Sequence, residues 1–342
     1  MNILVTGTDG YIGCLLASTL LKEGYRVIGL DTGFYRQGWL YNGLKQVPKC
    51  INKDIRDITE EDLSGFDVVV HLAELSNDPL GQLNQKITYE INHQGSVELA
   101  RKSKQAGVKR FIYSSSCSVY GIGENDLKTE QSETQPRTAY AKCKVLVEQD
   151  VSKLADENFS PTFLRNATAF GPSPRMRFDI VVNNLTGLAW TTKIISLTSD
   201  GSPWRPLVHV LDICEAIACT IKAPREIIHN QIFNVGTTQE NYRIREIAEI
   251  VADTFPKCTV SIGKSDGDDR SYRVSFDKIQ SQLPGFECKR NVKQGVQQLR
   301  ELFEHIRLDH KIFKARPFTR LKQLQHLLNT EQIDQNYFWK EL

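Results

Sequence analysis

The sequence predicts an α/β protein, a doubly wound parallel sheet carrying a smaller C-terminal α/β lobe. Three observations predict it. Strand-sized apolar runs alternate with helix-patterned segments through residue 165, and strands separated by helices pair in parallel. The run "FDVVVHLA" is apolar throughout, as a strand covered on both faces must be. A glycine turn, "GTDGYIG", joins the first strand to the first helix.

In chain order, "NILVTG" is a strand and "YIGCLLASTLLKEG" an amphipathic helix closed by Gly24. "RVIGLD" is the second strand, a third short strand precedes "KDIRD", and "FDVVVHLA" follows. "INHQGSVELARKSKQAG" is a helix stopped by Gly107 and leads into the strand "RFIYSS". "TAYAKCKVLVEQDVSKLADE" is a long helix before the strand "PTFLRNA". This places a nucleotide-binding domain over about 1–170. A second lobe covers about 171–310, and segments within 206–236 return to complete the sheet. There "GPSPRMRFDIVVNNLTGLAW" is a basic loop entering a helix, and "PLVHVLDICEAIACTIKA" a short strand then a helix. "IFNVG" is a strand and "RIREIAEIVADTF" a helix. A helical extension occupies 311–342, with Leu321, Leu324, Leu327 and Leu328 on one face. That stripe should pack on the protein itself or on a second subunit.

The 342 residues, 40% hydrophobic and 25% charged, suit a soluble two-lobed globule. A net charge of +2 creates no bulk field for nucleic acid or membrane, and no apolar run is long enough to cross a bilayer. The eight cysteines are scattered, with no CxxC pair and no histidine pair at zinc spacing. Free thiols and no metal are therefore expected. "MNILVTG" is already strand and turn, so the expectation is a cytoplasmic protein.

Gly7, Gly10 and Gly13 form GxxGxxG between strand and helix, where a dinucleotide needs a tight turn, a close backbone approach and close helix packing. The N–H groups of that helix start, Tyr11 and Ile12 among them, then face phosphates. Asp31 ends the second strand, where a carboxylate accepts from ribose hydroxyls and repels a 2′-phosphate, favouring NAD over NADP. Arg36 lies close enough in sequence to soften that preference. Asp54 and Ile55 fall where adenine is met. Tyr140 and Lys144 stand four apart and share a helix face. A phenol near its ordinary pKa of ~10 is a poor base at neutral pH. A lysine one turn away favours the phenolate, and a serine hydroxyl on a neighbouring strand end completes a general acid–base device.

These motifs, with "DIRD", "HLAE", "INHQG", "SSSCSVYG", "AFGP" and "RPLVHVLDI", resemble the extended short-chain dehydrogenase/reductases, which include nucleotide-sugar epimerases and dehydratases. The resemblance runs from Asn2 to about residue 300. It implies a Rossmann sheet, bound NAD, a nucleotide-diphosphate sugar as substrate, and a homodimer paired through the helices near 92–106 and 139–157. Ser116 matches the catalytic Ser/Thr beside Tyr140 and Lys144. Leu72, Ala73, Asn92, Tyr140 and Lys144 join the NAD contacts. Arg205 matches an arginine that grips the substrate diphosphate. Arg175, Arg177 and Arg270 are looser candidates, and Asn183 or Asn184 touches the nucleotide. Thr168 stands where many members carry asparagine.

The family oxidises a sugar hydroxyl, usually at C4. Dehydratases carry an Asp–Glu pair after the Ser/Thr, where this chain has Cys117 and Ser118. Without that acid pair a 4-epimerase is the leading expectation. Cys117 is kept as a candidate acid and Ser118 as a sugar contact. A C4 dehydrogenase stays open, because "FGPSPRMRFDIVVNN" and "DGDDRSYRVS" resemble segments of dehydrogenases acting on nucleotide-activated heptoses. A non-catalytic NAD sensor would typically lack Tyr140 or Lys144.

Overall fold

The computed structural model describes residues 1–264 and 270–340; part of the segment "DGDDRSYRVS" therefore lies outside the described residues. Seven parallel strands form the central sheet: β1 (Asn2–Thr6), β2 (Arg26–Asp31), β3 (Lys49–Asn52), β4 (Val68–His71), β5 (Arg110–Ser116), β6 (Ser160–Asn166) and β7 (Gln231–Val235). Their spatial order is β7-β6-β5-β4-β1-β2-β3, a doubly wound Rossmann arrangement. The order reverses between β1 and β4, which opens a crevice above the carboxyl ends of those strands.

The inner strands are buried on both faces because helices cover both. Val68, Val69 and Val70 of β4 are at most 1% exposed. On one side lie α1 (Gly13–Lys22) and α5 (Val210–Lys222); on the other lie α2 (Ser96–Gln105) and α3 (Ala139–Ser152). The helix expected from Ile91 begins differently, since Tyr89–Gly95 are wound as a π-helix before α2. Asn92 sits in this wider turn and holds the Leu75 backbone through two hydrogen bonds, 2.8 and 3.0 Å.

Of the segments after residue 205, only β7 enters the main sheet, beside β6. Trp204–His209 instead pairs with Thr168–Phe170, which continues past β6, and with Asn241–Arg243. That three-stranded sheet, with α4 (Val181–Thr192), α6 (Ile244–Thr254) and α7 (Val292–His305), builds the second core. The leucine stripe of the tail lies in α8 (Arg320–Asn329). Leu324 and Leu327 are buried against the β2 side of the first domain, in one cluster with Leu30 and Phe34. Each contributes roughly 1.5–3 kcal/mol of burial, so the stripe packs on its own chain. Among the described residues no helix is long and apolar enough to cross a membrane, and no group of His, Cys, Asp or Glu could hold a metal ion.

Candidate active site

One cleft of about 620 Å³ lies at the strand-order reversal. Its floor is the turn from β1 to α1. A Cβ on Gly13 would stand 2.1 Å from the Gly7 oxygen, and Gly7 has φ +78° with its missing Cβ facing the Ala73 backbone at 2.9 Å. Neither position tolerates a side chain. No side chain caps the N-terminus of α1 and no acid lies in its first turn, so its N–H groups suit a phosphate. These features fit a dinucleotide. Gly7, Gly10, Tyr11 and Ile12 line the cleft, whereas Gly13 serves from behind by letting the helix approach.

A buried relay shapes the edge. Thr6 Oγ1 accepts the N–H groups of Leu72 and Ala73, both at 3.1 Å. Its proton therefore goes to His71 Nδ1, 2.7 Å away, and His71 Nε2–H donates to Ser96 Oγ at 2.8 Å. Burial pushes His71 down to about 3, so it stays neutral and keeps this tautomer.

At the end of β2, Asp31 accepts from Gly33 N at 2.8 Å and Asp9 N at 2.9 Å and faces the cleft. Burial, helped by Asp9, raises it to about 6. Asp54 and Ile55 line the same end, with Asp54 paired to Arg56 at 2.8 Å. Arg36 is held by Asp9 and Asn52.

At the opposite end α3 presents Tyr140 and Lys144 to the end of β5. Tyr140 is hydrogen-bonded to Ser116, and Lys144 Nζ lies 5.4 Å from the Tyr140 ring. Lys144 donates to the Ser114 carbonyl at 2.5 Å. Burial raises the Tyr140 phenol above its usual range and the charges of Glu74 and Asp78 add to this, so the lowering expected from Lys144 is not found here; the Lys144 charge is paired with Glu74.

Several sequence candidates are corrected. Cys117 is 1% exposed and turns from the cleft, its Sγ donating to the Arg165 carbonyl at 3.1 Å; burial drives its thiol well up. It is packing, not an acid within reach of substrate. Asn92 acts through Leu75 rather than at the cleft. Asn183 is fully buried, bonded to Gly171 N, Arg177 O and Tyr11 OH, while its neighbour Asn184 lines the cleft. Arg175 is a structural pin: 1% exposed, it lies 4.0 Å over the Trp39 ring and reaches the Tyr35 and Arg36 carbonyls and Asp9.

The remaining candidates converge. Leu72, Ala73, Ser118, Thr168, Arg177, Arg205 and Arg270 all line the cleft. Arg177 is paired with Asp179 at 2.9 Å. Arg270 pairs with Asp78 and gives its carbonyl to Arg205 Nη1 at 2.5 Å. Two buried oxygens beside Ser116, Ser118 Oγ and Asn166 Oδ1, have no hydrogen-bond partner. Both residues face the cleft, so hydroxyl groups of a bound molecule could satisfy them. Asn166 was missed because a strand-end asparagine has no distinctive spacing.

Glu74 was also missed, although it ends the quoted "HLAE". Its Oε2 lies 2.5 Å from Lys144 Nζ, and its Oε1 accepts from the Tyr113 hydroxyl at 2.6 Å. Glu74→Gln removes a negative charge that holds Tyr140 up. The phenol pKa should fall, so the limb of kcat/KM that rises with pH should move to lower pH by about one unit. A pH–rate profile checks this, and an unmoved limb would rule out the coupling.

A model of the NAD dependent epimerase/dehydratase family matches residues 3–236. The chain is 26% identical over 305 residues to a UDP-glucose 4-epimerase of Corynebacterium glutamicum, covering 83% of this chain and 90% of that protein. It is 31% identical over 267 residues to UDP-glucose 4-epimerase 4 of Oryza sativa subsp. japonica, covering 69% and 72%. A UDP-glucose 4-epimerase from Thermotoga maritima, solved with UDP-glucose, superposes with a TM-score of 0.77 at 26% identity, covering 90% of this chain and 100% of that one.

Proposed function

The chain belongs to the NAD-dependent epimerase/dehydratase family, and from that premise we propose that it inverts C4 of a nucleotide-diphosphate sugar through a 4-keto intermediate. NAD is its cofactor and, when bound, accepts and returns the hydride of the sugar carbon. One observation carries the epimerase reading. Ser116, Tyr140 and Lys144 stand together, while the two positions after Ser116 hold a buried thiol and a neutral serine. A 4,6-dehydratase needs a carboxylate there to draw a proton from C5.

Each side chain then has a task. Tyr140 takes the proton of the C4 hydroxyl and gives it back. Ser116 holds that oxygen during the exchange. Lys144 balances the phenolate charge and reaches the ribose next to the nicotinamide. Arg205 and Arg270 frame the end of the cleft where a diphosphate sits, a role suited to planar guanidinium groups. Ser118, Thr168 and Asn166 offer neutral hydrogen bonds around a ring that must turn over.

The deciding experiment incubates purified enzyme and NAD with a panel of nucleotide sugars, following NADH absorbance and product NMR together. A C4 stereoisomer with no net NADH is expected. A 4-keto product with stoichiometric NADH would replace the proposal with a C4 dehydrogenase. The same reading includes a cytoplasmic homodimer paired through α2 and α3, which lie side by side on one face of the sheet. A monomer in sedimentation velocity at micromolar concentration would overturn the dimer.

A further inference from the structure

The C-terminal helix α8 lies beyond the part of the chain that the family model matches, yet its first residue reaches the cofactor cleft. Arg320 is 2% exposed and lines the cleft with Asp31, Tyr35 and Arg177. Its guanidinium lies 4.2 Å over the Tyr35 ring. Arg320 Nη2 is buried without a hydrogen-bond partner, and so is the Tyr35 hydroxyl. A buried guanidinium donor left unsatisfied is costly. Two such groups facing one cleft point to a polar ligand that completes both.

The ligand's charge follows from the neighbours. Burial, and after it the charge of Arg177, push Arg320 down to about 10 against the opposing charges of Asp179 and Asp31. Arg177 is already paired with Asp179, so the open donor calls for an added anion. Its position follows too. Arg320 feels the charges of Asp31, Arg177 and Asp179, and all four line the same cleft. Asp31 marks the adenosine ribose, and Tyr140 with Lys144 marks the nicotinamide end. The dinucleotide phosphates must span the stretch between them, over the uncapped start of α1.

The support is built rather than incidental. Gln323 Nε2 donates to the Phe34 carbonyl at 2.9 Å, and Trp339 Nε1 donates to the Thr32 carbonyl at 2.6 Å. Leu324 and Leu327 anchor the helix in the core. The tail is thus tied to the loop that carries Tyr35. We propose that Arg320 and the Tyr35 hydroxyl bind the pyrophosphate of NAD, so that the C-terminal helix closes the cofactor into its cleft.

Full-length Arg320→Gln, Arg320→Lys and Tyr35→Phe, stripped of cofactor, would be titrated calorimetrically with NAD, ADP-ribose, adenosine and NADP. Arg320→Gln should weaken NAD and ADP-ribose alike, by roughly 10- to 100-fold, the worth of a charge-assisted hydrogen bond. Adenosine should bind as before, Arg320→Lys should fall between, and Tyr35→Phe should weaken NAD a few-fold. The cofactor-free Arg320→Gln protein should melt no earlier than wild type. NAD affinity within about twofold of wild type would overturn the proposal. So would equal loss of adenosine binding, which marks a merely structural role, or a loss confined to NADP, which would assign Arg320 to a 2′-phosphate. Should Arg320→Gln fail to fold, Arg320→Lys and Tyr35→Phe carry the same test.

Discussion

Tyr140→Phe is expected to lower turnover by ~10²–10⁴-fold, the usual contribution of one positioned acid–base group, while NAD affinity stays within a few-fold. The phenol oxygen is the atom bonded to Ser116 at the end of β5, and phenylalanine removes it while keeping the ring that packs there. Binding should survive because the cradle is elsewhere, in the β1–α1 turn and the β2 end. Steady-state kinetics on the sugar converted by wild type, with calorimetry for NAD, separate the two effects. Turnover within tenfold of wild type would remove Tyr140 from the chemistry.

Arg165→Met should cost about 3–5 kcal/mol of stability. Arg165 (β6) and Glu148 (α3) form a buried pair at 2.6 Å, each about 5% exposed. Glu148 also accepts from Ser115 at 2.5 Å, and Arg165 donates to the Tyr120 hydroxyl at 3.0 Å. The cluster ties the helix of Tyr140 and Lys144 to the strand of Ser116. Methionine would leave Glu148 as an uncompensated charge in the core, which is why the single change should be severe. The double variant Arg165→Met/Glu148→Leu should regain much of the loss, since replacing both partners leaves no stranded ion. Thermal unfolding followed by circular dichroism tests both. A single variant that melts with wild type would mean the pair contributes little, and a double variant worse than the single would refute the stranded-charge account.

The sequence by itself determined the features that rest on local geometry. Strand and helix periods reveal the βαβ frame because each element buries its own apolar face. The glycine turn is legible because only a residue without Cβ fits 2.1 Å from the Gly7 oxygen. Tyr140 and Lys144 are legible because four residues make about one helical turn. Tertiary structure decided which way individual side chains face. Asn183 and Asn184 are adjacent, but a helix rotates about 100° per residue, so one is entombed and the other meets the cleft. Cys117 follows Ser116 yet points at the β6 backbone, and Arg175 is held by the loop after β2. Glu74 meets Lys144 across 70 positions of sequence, and Arg320 meets Tyr35 across 285. No local period encodes such pairs, because they exist only once separate elements have packed against one another.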